Sequence, residues 1–568
     1  MVYKQEKMKR KGFWIAIIII LALGIFIRLE NPENTTFTGD TKAVIPEGLL
    51  WYYPHDIFPG IASQGEPPLG HMVIGAGCLL SGEDFSEVSK IKPMFYPGRE
   101  GLIGPQVARA EEYCYIPIFA FGILLLITLS IIATALLNEV GALIATTFFA
   151  FQPFILQFSR LIMHVDVILW TWLALATLFL LKGYLEEKGT KKEKIYFIIA
   201  AIFLGLGGAT KLSFGAYLLF FALILLDKYW REIKNVISRV LKLKGDWKIS
   251  KKEVKFIALL IFMVILFTLA FLLPFQLKPQ NVIDVYNTYT SHSQDEGGLG
   301  FNLGIHKFII NQFLYEVNIF DALLFFLAIP TLYWLLKKKD KDKKEKFVLY
   351  FLLTTITTFI FTNVFHFTRI AIPYLFPIVF LMAMVFSDKE YGILTRLKIK
   401  NKGVVGTILL IIYLAFSFWT AFSAAPFFET RNPIFCKVSN FGCDINLYTY
   451  AAKTTGNYLK EKLNDSETFI LQEGPIFWYV RPEQSLANFQ FDQAFRSQTG
   501  REPTLIEKIN LFKPENRTVR YLLVNPKKVE RFEKEINQIL EQLEPNDKIV
   551  LNGQEVLFIY DLQNLNVK

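Results

Sequence analysis

The stretch IPIFAFGILLLITLSIIATALL, residues 116–137, contains no charged side chain. An apolar segment of about 20 residues is long enough to cross the roughly 30 Å hydrocarbon core of a bilayer as a helix. Such stretches recur along the first three quarters of the chain, so the sequence predicts a polytopic α-helical membrane protein with about eleven transmembrane helices. The predicted spans are Gly12–Arg28, Ile116–Leu137, Gly141–Phe158, Ile162–Leu181, Ile195–Ala209, Leu212–Leu226, Phe256–Leu273, Phe320–Leu336, Phe347–Val364, Ile370–Phe386 and Val404–Ala424.

The composition of the 568 residues agrees with this fold class. The chain is 52% hydrophobic and 20% charged, and its mean hydropathy is +0.34. These values exclude a disordered, a collagen-like and a small disulfide-stapled protein.

The net charge of +10 is divided unevenly along the chain. Five segments that alternation of the spans places on one side, together with Glu139 in a turn on that side, carry a charge of about +18, which leaves about −8 for the other side. Basic loops stay in the cytoplasm, so we expect a plasma-membrane protein with a cytoplasmic amino terminus and an extracytoplasmic carboxyl terminus. The basic runs are then topology signals that contact membrane lipids, and nucleic acid is not an expected partner. These basic segments are 1–12, 182–194, 227–255, 337–346 and 387–402.

Three segments on the predicted outer side are too long to be simple connections. Two are the loops 29–115 and 278–318, and both belong to a predicted transmembrane catalytic domain, 1–424. The third is the tail, 425–568, whose alternation of helical and strand-like patterns predicts a soluble extracytoplasmic α/β domain.

All four cysteines fall on the predicted outer side, where disulfides are permitted. Cys436 and Cys443 are close enough in sequence to form a short loop, and Cys78 and Cys114 are the other two. Whether either pair is bonded, or the thiols are free, stays open at this point.

Ionisable residues collect at the outer ends of the predicted spans. Asp40 lies in a Gly/Pro-rich loop after the first span, and Arg160, His164 and Asp166 lie between two later spans. Ionisable groups near membrane depth are costly and commonly functional. A solvated loop acid and a mutually satisfied turn are the structural alternatives.

Cations and a proline-stiffened element lie on the same side. Glu66-Pro67-Pro68-Leu69-Gly70-His71 precedes an apolar stretch too short to span, which we expect along the outer interface. Lys211 and Arg369 lie at outer helix ends, where a cation either extends to the headgroups or binds a lipid phosphate.

Taken in order, these motifs resemble those of GT-C superfamily membrane glycosyltransferases. The nearest group contains dolichyl-phosphate-mannose–protein mannosyltransferases and lipid A aminoarabinose transferases. The resemblance covers nearly the whole transmembrane part. It rests on Asp40, the His-Pro-Pro-Leu-Gly-Lys-like element Glu66 to His71, the Ser159-Arg160…Asp166 element, the turn Gly205 to Lys211 and the helix start Arg369-x-x-x-Pro373-Tyr374.

The resemblance implies a hexosyl- or pentosyltransferase that moves a sugar from a polyprenyl-phosphate donor to an acceptor hydroxyl of a protein, lipid or glycan. Transfer would be inverting, on the outer face, with Asp40 as base and Asp166 as a second catalytic residue. The residues implied in binding the donor or its phosphate are Lys211, Arg369, Glu66, His71 and Arg160.

The chain departs from the family pattern at two places. Thr41 follows Asp40 where the family usually has an acid, and Glu66 and His71 replace the His and Lys of the second element. His164 and Glu66 are candidate ligands of a divalent metal, the only cofactor that the sequence suggests.

Two other functions share the predicted topology. A transporter or flippase of lipid-linked sugars is the first, although the ionisable residues collect at one face rather than at the bilayer midplane. An oligosaccharyltransferase is the second, and the tail lacks a Trp-Trp-Asp-type element that would favour it.

Overall fold

A computed structural model describes most of the transmembrane part and parts of the tail. The described residues are 2–29, 41–53, 68–90, 104–160, 165–240, 251–270, 319–361, 368–399, 402–424, 445–464, 467–471, 499, 501, 518–524, 544–551 and 554–562.

Helices dominate the described residues up to 424. They are α1 (Val2–Leu29), α2 (Thr41–Leu50), α3 (Leu69–Leu79), α4 (Gly104–Arg109), α5 (Glu111–Leu136), α6 (Glu139–Phe151), α7 (Pro153–Phe158), α8 (Asp166–Leu185), α9 (Lys191–Thr210), α10 (Gly215–Val240), α11 (Lys251–Leu269), α12 (Ile319–Lys337), α13 (Lys343–Phe361), α14 (Thr368–Met384), α15 (Ile393–Arg396) and α16 (Lys402–Ala424). Short 3₁₀ turns cover Ser86–Lys90 and Leu212–Phe214.

Five of the described helices are long and apolar enough to cross a membrane. These are the segments Lys11–Leu29, Glu111–Leu136, Asp166–Leu185, Lys191–Thr210 and Phe320–Lys337. Shorter apolar helices coincide with further predicted spans, as in Glu139–Phe151, Lys255–Leu269, Ile372–Met384 and Val404–Trp419. A multi-pass membrane protein is therefore confirmed, while the number of about eleven spans remains a prediction.

The predicted span Gly141–Phe158 is not one continuous helix. It is divided between α6 and α7 at Gln152, whose backbone is extended, with φ −65° and ψ 120°. Pro153 explains the break, because proline has no amide hydrogen to donate and disfavours a helical residue before it. The prediction of an unbroken helix here was wrong.

Three of the loops that the sequence predicts to be cytoplasmic contact one another at one end of the bundle. Lys343 donates from Nζ to the carbonyl of Leu185 at 3.1 Å, and Lys389 Nζ lies 2.8 Å from Glu345 Oε1. The contacts bring the lysine-rich segments together, as the alternation of spans requires. The side of the membrane on which this lysine-rich end lies remains a prediction.

The tail contains α17 (Ile445–Lys462) and a mixed four-stranded sheet. Its strands are β1 (Glu467–Leu471), β2 (Thr518–Val524), β3 (Asp547–Leu551) and β4 (Gln554–Asp561), in the order β1-β2-β4-β3. β1 and β2 are parallel and the other pairs are antiparallel. The described residues thus contain one helix and four strands of the alternation read from the sequence, while the soluble extracytoplasmic domain remains a prediction. Cys436 and Cys443 lie outside the described residues.

Candidate functional site

Three of the motifs singled out in the sequence meet where α3 begins. A Cβ atom at Gly70 would lie 2.7 Å from the Cβ of Val165 and 3.0 Å from Cγ2 of Thr210. Only glycine allows so close an approach. The contact brings the backbone of His71 beside the chain positions that precede Asp166 and Lys211.

Asp166 and Lys211 form an ion pair at this junction. Asp166 is the first residue of α8 and Lys211 follows the last residue of α9. Lys211 Nζ lies 3.3 Å from Asp166 Oδ1, and the two residues are 8% and 1% exposed. The amino-terminal end of a helix attracts a carboxylate, so the position of Asp166 adds a favourable interaction with the helix dipole to the ion pair.

His71 has a buried acidic neighbour of its own, Glu47 on α2. His71 Nε2 lies 3.6 Å from Glu47 Oε2, and the residues are 2% and 3% exposed. The helices α2 and α3 cross with their backbones in contact. A Cβ atom at Gly48 would lie 2.2 Å from the carbonyl oxygen of His71, and a Cβ atom at Gly75 would lie 2.3 Å from the carbonyl carbon of Gly48. We call Glu47, His71, Asp166 and Lys211 the Gly70 cluster.

Glu47 was missed in the sequence. It lies in the segment Ala43-Val44-Ile45-Pro46-Glu47-Gly48-Leu49-Leu50, where it is the one carboxylate among apolar residues. That isolation was the signal available, since a buried acid is uncommon without a partner. The sequence did not indicate which residue would be the partner.

A second buried basic site, also missed, surrounds Arg28 at the end of α1. Its guanidinium donates from Nε to Ser159 Oγ at 3.1 Å, and from its other nitrogens to the carbonyls of Gly24, Phe149 and Ala150 at 2.8 to 3.1 Å. Arg160 donates in turn from Nη1 to the carbonyl of Ile27. The end of α1 and the Ser159-Arg160 turn therefore hold each other in place.

The helix break explains why an arginine is needed there. In an unbroken helix, the carbonyl of Phe149 would accept the amide hydrogen of residue 153, and Pro153 has none. Arg28 Nη2 supplies that hydrogen bond instead, at 3.1 Å. Buried carbonyls at membrane depth require such a partner.

The helix that carries Arg369 is fixed next to Lys211. Arg369 is the second residue of α14. Tyr374 on this helix donates from its hydroxyl to the carbonyl of Ser213 at 2.7 Å, and Tyr217 donates to the carbonyl of Pro373 at 2.8 Å. Hydrogen bonds from two tyrosine hydroxyls to backbone carbonyls thus join the segment that follows Lys211 to the helix that carries Arg369.

The remaining predicted site residues, Asp40, Glu66 and His164, lie outside the described residues. Both candidate metal ligands are among them. Within the part of the chain that the structure describes, no group of three His, Cys, Asp or Glu side chains could hold a metal ion.

A disulfide links the two helices beside the Gly70 cluster. Cys78 in the last turn of α3 is bonded to Cys114 in the first turn of α5. Both residues are fully buried. The pair fixes one end of the helix whose other end carries His71.

Part of the chain is similar to a known protein family. Residues 15–278, just under half of the chain, match the family model of dolichyl-phosphate-mannose-protein mannosyltransferases. Among curated protein sequences, none matches this chain.

Solved structures with a similar fold include ArnT from Cupriavidus metallidurans in the apo state. The TM-score is 0.50 at 12% identity, over 97% of this chain and 98% of ArnT. ArnT bound to undecaprenyl phosphate gives a TM-score of 0.47 at 10% identity, over 98% of each chain. The archaeal oligosaccharyltransferase AglB from Archaeoglobus fulgidus, in complex with an inhibitory peptide and a dolichol-phosphate, gives 0.43 at 13% identity, over 92% of this chain and 70% of AglB.

The chain is therefore similar in fold to ArnT, as its resemblance to the GT-C type led us to expect, and its apolar helices agree with a multi-pass membrane protein. Within that type, the chain resembles the group that contains the protein mannosyltransferases and ArnT, and this resemblance supports a glycosyltransferase activity.

Proposed function

We propose that this protein transfers a sugar from a polyprenyl-phosphate donor to an acceptor hydroxyl on the outer face of the plasma membrane, with inversion at the anomeric carbon. The observation that carries the proposal is the Gly70 cluster, in which a buried lysine, a buried histidine and two carboxylates lie at the junction of three motifs. The end of the bundle opposite the lysine-rich loops is then the catalytic end.

The charges of the cluster suit a phosphate leaving group. A sugar phosphate needs little protonation of the departing oxygen, but it needs cations where negative charge increases. Lys211 supplies a fixed ammonium, which Asp166 orients at 3.3 Å. Arg160 and Arg369 are the further cations that we assign to the donor phosphate, and Arg suits phosphate through paired hydrogen bonds.

The chemical step is a single displacement. The acceptor oxygen forms a bond to the anomeric carbon as the bond from that carbon to the phosphate oxygen breaks, and the electron pair leaves with the phosphate. The proton of the acceptor hydroxyl passes to the carboxylate of Asp40, which acts as general base. Asp166 orients the acceptor, and Glu66 and His71 contact the donor side.

The class of donor rests on the matched family. Its description names dolichyl-phosphate-mannose as the donor of those mannosyltransferases. ArnT, whose fold the chain shares, has been solved with undecaprenyl phosphate. A protein that binds a polyprenyl phosphate at the membrane surface needs basic groups at a helix end, as found here.

The test is a transfer assay with the purified full-length protein and radiolabelled polyprenyl-phosphate sugars. We expect time-dependent release of polyprenyl phosphate and a labelled product whose anomeric configuration, read by NMR, is opposite to that of the donor. Asp40→Asn should lower the rate at least about 10³-fold with unchanged expression and elution profile. Asp84→Asn is the matched control, because Asp84 is an exposed acid of the same long loop whose carboxylate accepts hydrogen bonds from the backbone amide and side chain of Ser86.

Two results would contradict the proposal. Full activity in Asp40→Asn would remove that residue from the mechanism. Movement of intact donor across proteoliposome membranes without sugar transfer would instead identify a transporter.

A further inference from the structure

We infer that Glu47 is a positioning residue that keeps His71 protonated, so that the Gly70 cluster presents a second cation to the donor phosphate. This inference rests on the proposed function and assigns a role to a residue outside the motifs. Glu47 itself acts through His71 and contacts no substrate in this scheme.

The first step is the rigidity of the pair. Glu47 and His71 belong to helices whose backbones touch at Gly48 and Gly75, and a methyl group fits at neither glycine. The 3.6 Å separation of Nε2 and Oε2 is therefore fixed by the helix crossing rather than by two flexible side chains. A hydrogen bond from the Tyr52 hydroxyl to the carbonyl of Met72, at 2.9 Å, adds a further link between the two segments.

The second step is the charge of the cluster. His71 and Glu47 are both buried, and Nε2 of His71 lies 3.6 Å from Oε2 of Glu47. Burial disfavours net charge, and an adjacent carboxylate favours the imidazolium. The other ionisable residues on described elements that pack against α3 are Lys42 on α2, Asp166 and Lys211 at the Gly70 end, and Glu111 and Glu112 at the opposite end, beside the disulfide.

The third step is the position of His71 relative to Lys211. Gly70, the residue before His71, touches Thr210, the residue before Lys211. Lys211 is already shared with Asp166. A protonated His71, paired with Glu47 rather than with Asp166, would add a second charged donor beside the segment that carries Lys211.

The experiment measures binding of undecaprenyl phosphate to the full-length protein in detergent, by microscale thermophoresis, at pH 5.5 and pH 7.5. The variants are Glu47→Gln, His71→Gln and the double variant. Tyr52→Phe serves as control, because it removes a contact between the same two segments without changing charge. The phosphate itself titrates near pH 6, so each variant is compared with the wild type at the same pH.

At pH 7.5 we expect Glu47→Gln to weaken binding about tenfold, because the isolated imidazole is then mostly neutral. The difference in affinity between Glu47→Gln and the wild type should be at least about threefold smaller at pH 5.5, because a lower pH protonates more of the His71 side chains even when Glu47 is absent. In the His71→Gln background, loss of Glu47 should add less than about twofold. Tyr52→Phe should stay within about twofold of the wild type at both pH values.

Each contrary result has a distinct meaning. Three results would overturn the role of Glu47 and leave the proposed function intact. Glu47→Gln could bind undecaprenyl phosphate as tightly as the wild type at pH 7.5, or it could lose the same affinity at both pH values. The losses of affinity in Glu47→Gln and His71→Gln could also be fully additive in the double variant. No binding by the wild type overturns the proposed donor and this inference with it. If Glu47→Gln does not fold, the wild type and His71→Gln are compared alone. The wild type should then bind undecaprenyl phosphate more tightly than His71→Gln at both pH values. Equal affinities at pH 7.5 would contradict a His71 that Glu47 keeps protonated.

Discussion

Replacing Arg28 with methionine should destabilise the protein, although no acid among the described residues forms an ion pair with Arg28. In the wild type the guanidinium bonds the carbonyls of Phe149 and Ala150, which the break at Pro153 leaves without their helical partners. Methionine fills a similar volume but donates no hydrogen bond, so both carbonyls remain buried and unsatisfied.

The magnitude follows from the number of groups that lose a partner. Each unsatisfied buried carbonyl costs about 1–3 kcal/mol, which gives about 2–6 kcal/mol for two. The Ser159 hydroxyl still donates to the carbonyl of Leu156 at 3.1 Å, and Gly24 lies within the body of α1, so neither adds a full penalty. The variant no longer buries a guanidinium, which offsets part of the loss, and we expect a net cost of about 3 kcal/mol.

The assay is the thermal unfolding of detergent-solubilised protein. At about 2 °C per kcal/mol for a large domain, Arg28→Met should lower Tm by about 6 °C. Lysine can reach only some of the acceptors of Arg28, so the Tm of Arg28→Lys should lie between those of the wild type and Arg28→Met. Arg109→Met is the matched control: this arginine pairs with Glu83 at an exposed site, and its removal should change Tm by less than about 1 °C. Equal Tm values for the two methionine variants would refute the account of the helix break.

Three further predictions concern other parts of the molecule. Gly75→Ala should lower Tm by several degrees, because its Cβ would overlap the backbone of α2, whereas Gly12→Ala, with open space around it, should have no such effect. Loss of the Cys78–Cys114 disulfide, which closes a separation of 36 residues, should cost up to about 4 kcal/mol, and maleimide-PEG labelling of denatured protein should detect these two thiols only after reduction. Burial raises the pKa of Asp342, but hydrogen bonds from its lysine partner and from backbone amides outweigh burial and lower it. Its stabilising effect should therefore be present above about pH 4 and lost as the pH falls further, and the Tm difference between the wild type and Asp342→Asn should narrow there.

Much of the helical framework could be predicted from apolar stretches and charge. The turn between α5 and α6 is an example, because Asn138 accepts from the amide of Gly141 at 3.0 Å and so caps the start of α6. Local patterns of this kind are decided within a few residues of sequence. The break at Pro153 could also be predicted from a local signal, the proline itself. The prediction gave more weight to the length of the apolar stretch and therefore missed the break.

The site was predictable only in part, because its geometry depends on contacts between distant segments. Asp166, His71 and Lys211 stood out as costly ionisable residues at outer helix ends. Their convergence required that Gly70 pack against two other helices, and nothing in one segment indicates its partner in another. Glu47 was missed for the same reason, since its role comes from the crossing of α2 and α3.

The way in which charge is buried at the two ends of the bundle differs, and this difference bears on function. At the lysine-rich end, Lys389 and Asp342 are partly exposed, whereas the side chains of Glu345, Lys228 and Glu193 are buried. These buried groups satisfy backbone groups at helix ends: Glu345 accepts from the amide of Asp342, and Lys228 donates to the carbonyls of Gly183, Tyr184 and Glu186. At the other end, Arg28 repairs a helix break, but the Gly70 cluster repairs none: its members are almost fully buried on short or terminal helical segments. A buried ion pair is seldom more stabilising than apolar residues of the same volume. Stability therefore accounts for Arg28 and leaves the cluster unexplained, whereas a ligand with its own negative charge would account for a lysine and a histidine that are both buried at the junction of three motifs.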